Sequence, residues 1–307
     1  TLTIPAFTVQ STTSSANTIS AGNNFTCIVL DNASVKCWGY NAQGQLGIDS
    51  TTSIGDSSGE MASLSAVNLG TGRTATALAT GAYHSCALLD NASVKCWGYN
   101  NNGQLGIDST TSMGTSSVQM ASLSAVNLGT GRTATAIATM LYHNCALLDG
   151  GDVKCWGNNQ YGQLGIDSTT NMGNSSTTTN MASISTVNLG TGRTATAIAA
   201  GAYHTCAVLD NASVKCWGYN AQGQLGIDST TTTGDSSGEM ASLSAVNLGT
   251  GRTATAIAAG YFHNCAKLDN GDLKCWGYNS YGQLGIGSTI TTGDNSGEMA
   301  SLDAIDL

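Results

Sequence analysis

Charge is the scarce material of this chain. Only 9% of its 307 residues are charged, and 10 Lys+Arg against 19 Asp+Glu leave a net charge of -9. No run of basic residues exists, so a nucleic-acid backbone is repelled and nucleic acid is excluded as a partner. No stretch approaches the roughly 18 consecutive apolar residues of a spanning helix, which excludes membrane insertion of that kind. No window places apolar residues at i, i+3, i+4 and i+7 over three turns, so an amphipathic helical repeat is excluded as well. The opening "TLTIPAFTVQ" has no initiating Met and no charged-then-apolar leader, and reads as a mature or trimmed product.

Glycine fills 39 positions, and Ser, Thr, Asn and Gln carry most of the polarity, a composition that favours turns over long solvated helices. The five Trp residues all stand in the word Cys-Trp-Gly, at 38, 97, 156, 217 and 276, with successive spacings of 59, 59, 61 and 59. Such a period is the mark of a repeat architecture. The longer interval comes from "NMGNSSTTTNMAS" at 171–183, an insertion into an exposed Ser/Thr-rich loop. Within one unit, "ATAIAA", "HTCAVL", "SVKCWG" and "LSAVNL" read as four short strands bounded by the turn words Asp-Asn-Ala-Ser, Gly-Gln-Leu-Gly and Gly-Thr-Gly-Arg. Four strands per ~60 residues predict an all-β propeller of four-stranded blades. The whole chain reads as one repeat domain: an N-terminal strand and linker at 1–15, then blade-like units at 16–69, 70–128, 129–189, 190–248 and 249–307.

All ten Cys fall into pairs of one spacing: Cys27 with Cys37, Cys86 with Cys96, Cys145 with Cys155, Cys206 with Cys216, and Cys265 with Cys275. In a hairpin turning on Asn91, Cys86 and Cys96 stand opposite each other, close enough for a disulfide. Five such bridges imply an oxidising compartment, hence an extracellular or cell-surface location. Zinc held by His84, Cys86 and Cys96 is the rival reading, and free thiols a third. His recurs at 143, 204 and 263, but the first unit has Phe25 there with its Cys pair intact, which argues against a metal ligand. Cys-x9-Cys also lacks the short loop of redox motifs.

The word H-x-C-A-x-L-D-x-x-x-V-K-C-W-G-Y-N-x-x-G-Q-L-G resembles the regulator of chromosome condensation repeat family, and most closely its secreted, Cys-paired versions. The resemblance covers residues 16 to 307. It implies a propeller, of seven blades as a rule, closed with help from both chain ends. Five units instead imply a five-bladed ring, or an open arc or part of a larger propeller or assembly. "IPAFTV" at 4–9 and "LDAIDL" at 302–307 both match the fourth-strand word, leaving one such word surplus, able to pair with a neighbouring molecule. The family includes a nuclear exchange factor for a small GTPase and a bacterial inhibitor of β-lactamase. No contact residue of either maps onto these near-identical loops.

Reactive residues recur in equivalent positions rather than converging once, which favours structure over catalysis and predicts no enzyme and no cofactor. The His residues read as polar openings of the second strand, and no Ser lies in a Gly-x-Ser-x-Gly context. "GDSSGE" gathers carboxylates, so Asp49, Asp56 and Glu60, or Asp228, Asp235 and Glu239, form a weak calcium candidate. Asn24, Asn32, Asn91, Asn174 and Asn211 stand in Asn-x-Ser/Thr, acceptor sequences if the chain is glycosylated and good turn residues otherwise. Arg73, Arg132, Arg193 and Arg252 read as hairpin-tip cations pairing a nearby Asp, and each Trp as a wedge between blades.

Near-identical units suit an extracellular structural or adhesive module that self-associates into an array or filament through its terminal strands. The alternative is a secreted binder of a specific surface protein or glycan. A specific binder concentrates its differences between units on one rim, and the most visible differences are Met140-Leu141 in place of Gly-Ala and the insertion at 171–180.

Overall fold

A computed structural model describes residues 19–175 and 177–306. The surplus word at 4–9 lies outside the described residues. Each repeat forms a three-stranded antiparallel meander. The first holds β1 (Ile19–Ala21), β2 (Phe25–Val29) and β3 (Val35–Gly39); the second β4 (Ala75–Thr80), β5 (His84–Leu89) and β6 (Val94–Gly98). The third holds β7 (Ala134–Met140), β8 (His143–Leu148) and β9 (Val153–Gly157); the fourth β10 (Ala195–Ala200), β11 (His204–Leu209) and β12 (Val214–Gly218). The fifth holds β13 (Ala254–Ala259), β14 (His263–Leu268) and β15 (Leu273–Gly277).

The hairpin between the second and third strands is dictated by its tip. Asn91 Oδ1 accepts from Ser93 N at 3.3 Å and Ser93 Oγ at 2.7 Å, and Ala92 takes φ 60° to close the turn. That turn sets Cys86 opposite Cys96, with Cα atoms 4.1 Å apart and the sulfurs bonded. The same bridge stands in every repeat, and no cysteine is free.

Alternation along each strand gives every sheet two faces. Ala87, Leu89 and Trp97 of the second repeat pack into one cluster with Cys27, Val35 and Leu46 of the first. Cys86, Leu88, Val94 and Cys96 join Cys145-side residues of the third on the opposite face. Repeats therefore stack in chain order, each Trp buried against the preceding repeat: Trp97, Trp156, Trp217 and Trp276 are fully buried.

The expected fourth strand is not a strand. The word at 64–69 buries Leu64, Val67 and Leu69 and exposes Ser65, Ala66 and Asn68, a pattern without the period of two that a ladder needs. It contributes one backbone bond to the third strand, Val67 N to Val35 O at 2.8 Å. Equivalent bonds join Val126 to Val94, Val187 to Val153, Val246 to Val214 and Ile305 to Leu273. The insertion in the third repeat replaces the four-residue helix seen at Glu60–Ser63 and its equivalents by a 3-10 turn at Met181–Ser183, with Met181 still buried.

A closed five-bladed ring, in which every Trp is covered, is not the arrangement of the described residues. Trp38 is only half-buried, and Met61 and Ile19 are 46% and 61% exposed where their counterparts Met120 and Leu78 are buried. At the other end Lys267 occupies the face that Leu88, Leu147 and Val208 fill elsewhere, and it is exposed.

This asymmetry gives a stability prediction. Trp156→Ala removes a fully enclosed ring and is expected to cost about 3–5 kcal/mol, with Trp38→Ala costing well under half of that. Urea denaturation of the two variants side by side checks it; equal losses would contradict the stacking order.

Candidate functional site: an aromatic rim on one end of the stack

The joints between repeats account for most of the polar residues that recur. The backbone carbonyl of Gln45 accepts two bonds from the second repeat, from Trp97 Nε1 at 3.0 Å and Ser85 Oγ at 2.9 Å. Gln104 O accepts from Trp156 Nε1 and Asn144 Nδ2, Gln163 O from Trp217 Nε1 and Thr205 Oγ1, and Gln224 O from Trp276 Nε1 and Asn264 Nδ2. Gly47 is required there: at φ +66° a Cβ would sit 2.6 Å from the Trp97 indole nitrogen.

The histidines belong to these same joints. His84 Nε2 lies 2.8 Å from Asn144 Oδ1. Because Asn144 gives its Nδ2 hydrogen to Gln104 O, its Oδ1 accepts and His84 carries a proton on Nε2; burial and an Nδ1 without a partner keep the ring neutral. His143 meets Thr205 Oγ1 at 3.0 Å and His204 meets Asn264 Oδ1 at 3.0 Å in the same way. Burial pulls His84 and His204 down to about 4 and His143 to about 3. All three are fully enclosed, out of reach of a substrate. The sequence reading made His an opener of the second strand; the structure adds that it is a cross-repeat donor.

Of the calcium candidates, Asp56 lies beside Glu60 and Asp235 beside Glu239, whereas Asp49 and Asp228 are turned to the next repeat. Asp49 accepts from Met120 N of the next repeat at 2.9 Å, and Asp228 from Met299 N and Gly297 N. Glu60 Oε2 accepts from Gly55, Asp56 and Ser57 N, and Glu239 repeats this with Gly234, Asp235 and Ser236. These backbone hydrogens hold Glu60 below the ordinary carboxylate range, and their acceptor capacity is spent on the loop. Burial and the Glu239 carboxylate beside it raise Asp235. No group of three His, Cys, Asp or Glu able to hold a metal occurs among the described residues.

At one end of the second to fifth sheets sit the charged turns: Arg73 with Asp90, Arg132 with Asp149 and Asp152, Arg193 with Asp210 and Arg252 with Asp269. Asn32, Asn91 and Asn211 are exposed at these tips. Asn24 is exposed at the opposite end, while Asn174 is half-buried and its side chain accepts from Thr179 Oγ1.

The opposite end is built from two turns per repeat, held edge to edge by bonds such as Tyr99 N to Tyr83 O at 2.9 Å. The ten segments 22–25, 40–45, 81–84, 99–104, 140–143, 158–163, 201–204, 219–224, 260–263 and 278–283 contain no Lys, Arg, Asp or Glu. They contain all ten tyrosines of the chain. Tyr40 touches Tyr83, Tyr83 stacks on Tyr142, and Tyr142 meets Tyr99, with centroids 5.8–6.4 Å apart. Tyr161, Tyr203, Tyr219, Tyr261, Phe262, Tyr278 and Tyr281 form a second set of ring contacts across the last three repeats. Tyr281 is 87% exposed, with Tyr261 at 47% and Tyr40 at 41%. Burial raises Tyr142 and Tyr203, which keeps their phenols protonated as donors.

This rim also carries differences between repeats. Asn158 replaces a Tyr, Tyr161 and Tyr281 replace Gln or Asn, Met140-Leu141 replaces Gly-Ala, and Tyr261-Phe262 replaces Ala-Tyr. Sequence reasoning noticed only Met140-Leu141; the others emerge once the two turn words are aligned with the strand ends that carry them.

A stack of sheets with sealed joints and one variable aromatic end defines a propeller-type scaffold that presents a surface rather than a cleft. Five segments, 17–45, 75–104, 137–163, 195–224 and 254–283, match the regulator of chromosome condensation (RCC1) repeat. The chain belongs to the RCC1-like repeat family. It is similar to the ultraviolet-B receptor UVR8 of Arabidopsis thaliana, 27% identical over 216 residues, which is 69% of this chain and 43% of the relative. Its fold is that of human WBSCR16, with a TM-score of 0.70 at 20% identity, covering 94% of this chain and 66% of the other. Prp20p of Saccharomyces cerevisiae gives a TM-score of 0.65 at 24% identity, covering 87% and 58%. The chain thus spans less than two thirds of each of these proteins.

The buried imidazoles make a pH prediction. An unfolded chain protonates His near 6.5, whereas the folded protein does so only near 4 or below, so the unfolded state binds more protons between these values. Stability is full above about 6.5 and falls as pH drops toward 4. Urea midpoints measured between about pH 7.5 and 5, above the carboxylate range, should fall, and His143→Gln should flatten the slope. A midpoint constant across that window would refute neutral, enclosed histidines.

Proposed function

We propose that the protein is a binding module of the extracellular space or cell surface, recognising a surface protein or glycan through its aromatic rim, and that it is not an enzyme. The observation that carries this reading is the convergence on one end of every tyrosine, with differences between repeats at Asn158, Tyr161, Tyr261-Phe262 and Tyr281, while the Trp, Gln-Leu-Gly and Cys of the joints recur unchanged. Tyrosine supplies large contact area with few rotors and a hydroxyl for hydrogen bonding, which suits recognition surfaces. Prp20p has binding properties toward Gsp1p and histones, which supports a binding use of the fold. With no basic run and a net charge of -9, the partner here is not nucleic acid.

The extracellular assignment rests on five disulfides and no free thiol. No helix among the described residues is long and apolar enough to cross a membrane. Asn32, Asn91 and Asn211 offer glycan acceptors at the charged end, away from the rim, and Asn24 one beside it. A second reading, a structural or adhesive array, is favoured by the near-identity of the repeats, which presents the same loops along the stack.

Two measurements check the proposal. Alkylation of native protein should add nothing, and alkylation after reduction should add ten groups, one for each Cys; labelling without reductant would remove the extracellular assignment. Tyr261→Ser with Tyr281→Ser should lower binding of the labelled protein to whole cells and to immobilised surface polysaccharide at least about tenfold, with a stability change within about 0.5 kcal/mol as for exposed sites. Unchanged binding would move recognition off the rim.

A further inference from the structure

The aromatic rim is uncharged on a chain of net charge -9. Its ten segments hold no Lys, Arg, Asp or Glu, and the Arg–Asp pairs lie at the opposite end of the sheets. What the rim presents instead is rings and amides, and the interior repeats carry both. Tyr161 meets Tyr203 at 5.3 Å and Tyr219 at 4.8 Å between ring centroids, and Gln160 beside it is exposed. Tyr142 meets Tyr83 and Tyr99, and the exposed Asn101 stands in the same turn as Tyr99. The side chains of Gln43, Asn101, Gln160 and Gln222 make no hydrogen bond with any described residue, so each keeps its amide hydrogens and its carbonyl oxygen unspent. In this turn Tyr161 stands where the first, second and fourth repeats have Gln43, Asn102 and Gln222.

We propose that the ligand of this rim is a neutral polysaccharide, its sugar rings set against Tyr161, Tyr203 and Tyr219 and its hydroxyls bonded to Gln160 and Gln222; this rests on the rim being the binding surface. Charge selects the class. An anionic glycan needs cations, which the rim lacks, and is repelled by a net charge of -9. A protein partner is matched through charge complementarity and interfacial Arg, and the rim supplies neither. Hydroxyl chemistry selects it again. A sugar offers C–H faces that shed water against an aromatic ring, and hydroxyls that donate and accept; a hydroxyl covered without a partner is costly, and an amide answers both of its roles. The period of the rim is the third argument. Segments 40–45 and 219–224 read the same word, Tyr-Asn-Ala-Gln-Gly-Gln, so recurring turns face the recurring units of a polymer, and weak contacts sum by avidity.

Retention of the full oxidised chain on immobilised mannan, β-glucan and polygalacturonate, and on whole cells treated with periodate or with protease, tests this. Wild type should be retained on a neutral polymer, to an extent unchanged between about 50 and 500 mM salt, and not on polygalacturonate. Cells should lose the protein after periodate, which cleaves vicinal diols, and keep it after protease. Gln160→Ala with Tyr161→Gln gives residues 159–163 the wording of 41–45 and 220–224, which the fold already accepts, and should weaken retention at least about tenfold. Tyr203→Ala, with circular dichroism to confirm folding, is the second variant and should do the same. Retention on polygalacturonate alone or on none of the three polymers, or cell binding that protease removes and periodate spares, overturns the neutral polysaccharide; where Tyr261→Ser/Tyr281→Ser still lowers that cell binding, the rim stands as the surface for another ligand. Binding indifferent to all of these variants overturns both.

Discussion

Every junction in this protein hangs on a single backbone carbonyl. Gln45 O, and its equivalents at 104, 163 and 224, receives an indole N–H and a side-chain donor from the next repeat in a site without solvent. An indole left unpaired in such a place costs the desolvation of its N–H, so the ring, the carbonyl and the glycine that admits the ring are mutually dependent. A three-stranded meander of this size cannot bury its own Trp. It becomes stable by lending that ring to its predecessor and borrowing its successor's, which is the nearest-neighbour energetics of repeat proteins.

That dependence separates the residues free to vary from those that are not. Trp, Gln-Leu-Gly, the Cys pair and the Asn, Ser or Thr opposite the His sit in the joint and recur almost unchanged. On the aromatic end the His side chain and the Gln carbonyl of each turn belong to the joint, while positions beside them such as Asn158, Tyr261 and Tyr281 differ between repeats with those contacts kept. A rigid scaffold carrying variable turns at one end is a physical basis for recognition.

The repeat, the hairpin and its Cys pair were legible because they are local: a turn on Asn91 sets Cys86 opposite Cys96 by counting alone. The burial of Trp was legible from size and apolarity. The fourth strand was misread because "LSAVNL" is apolar enough for a strand, yet its buried positions 64, 67 and 69 follow the shape of a groove rather than a pleat. The neutral histidines, and the Asp that reaches Met N–H some 71 residues on, depend on partners in another repeat, and no local pattern announces those. The tyrosines were scattered in sequence between two different turn words, and only the pairing of His84 with Gly98 places those words on one edge.

Where the covalent bonds fall decides what kind of object the stack can be. All five disulfides close a hairpin within one repeat, and none crosses a junction. Each ring constrains its own unfolded segment by roughly 2–3 kcal/mol on the chain-entropy model, so a repeat is locally braced while its union with the next remains wholly noncovalent. A union of that sort does not distinguish a neighbour on the same chain from one on another, except through the effective concentration that the linker supplies. The interior joints win by being tethered.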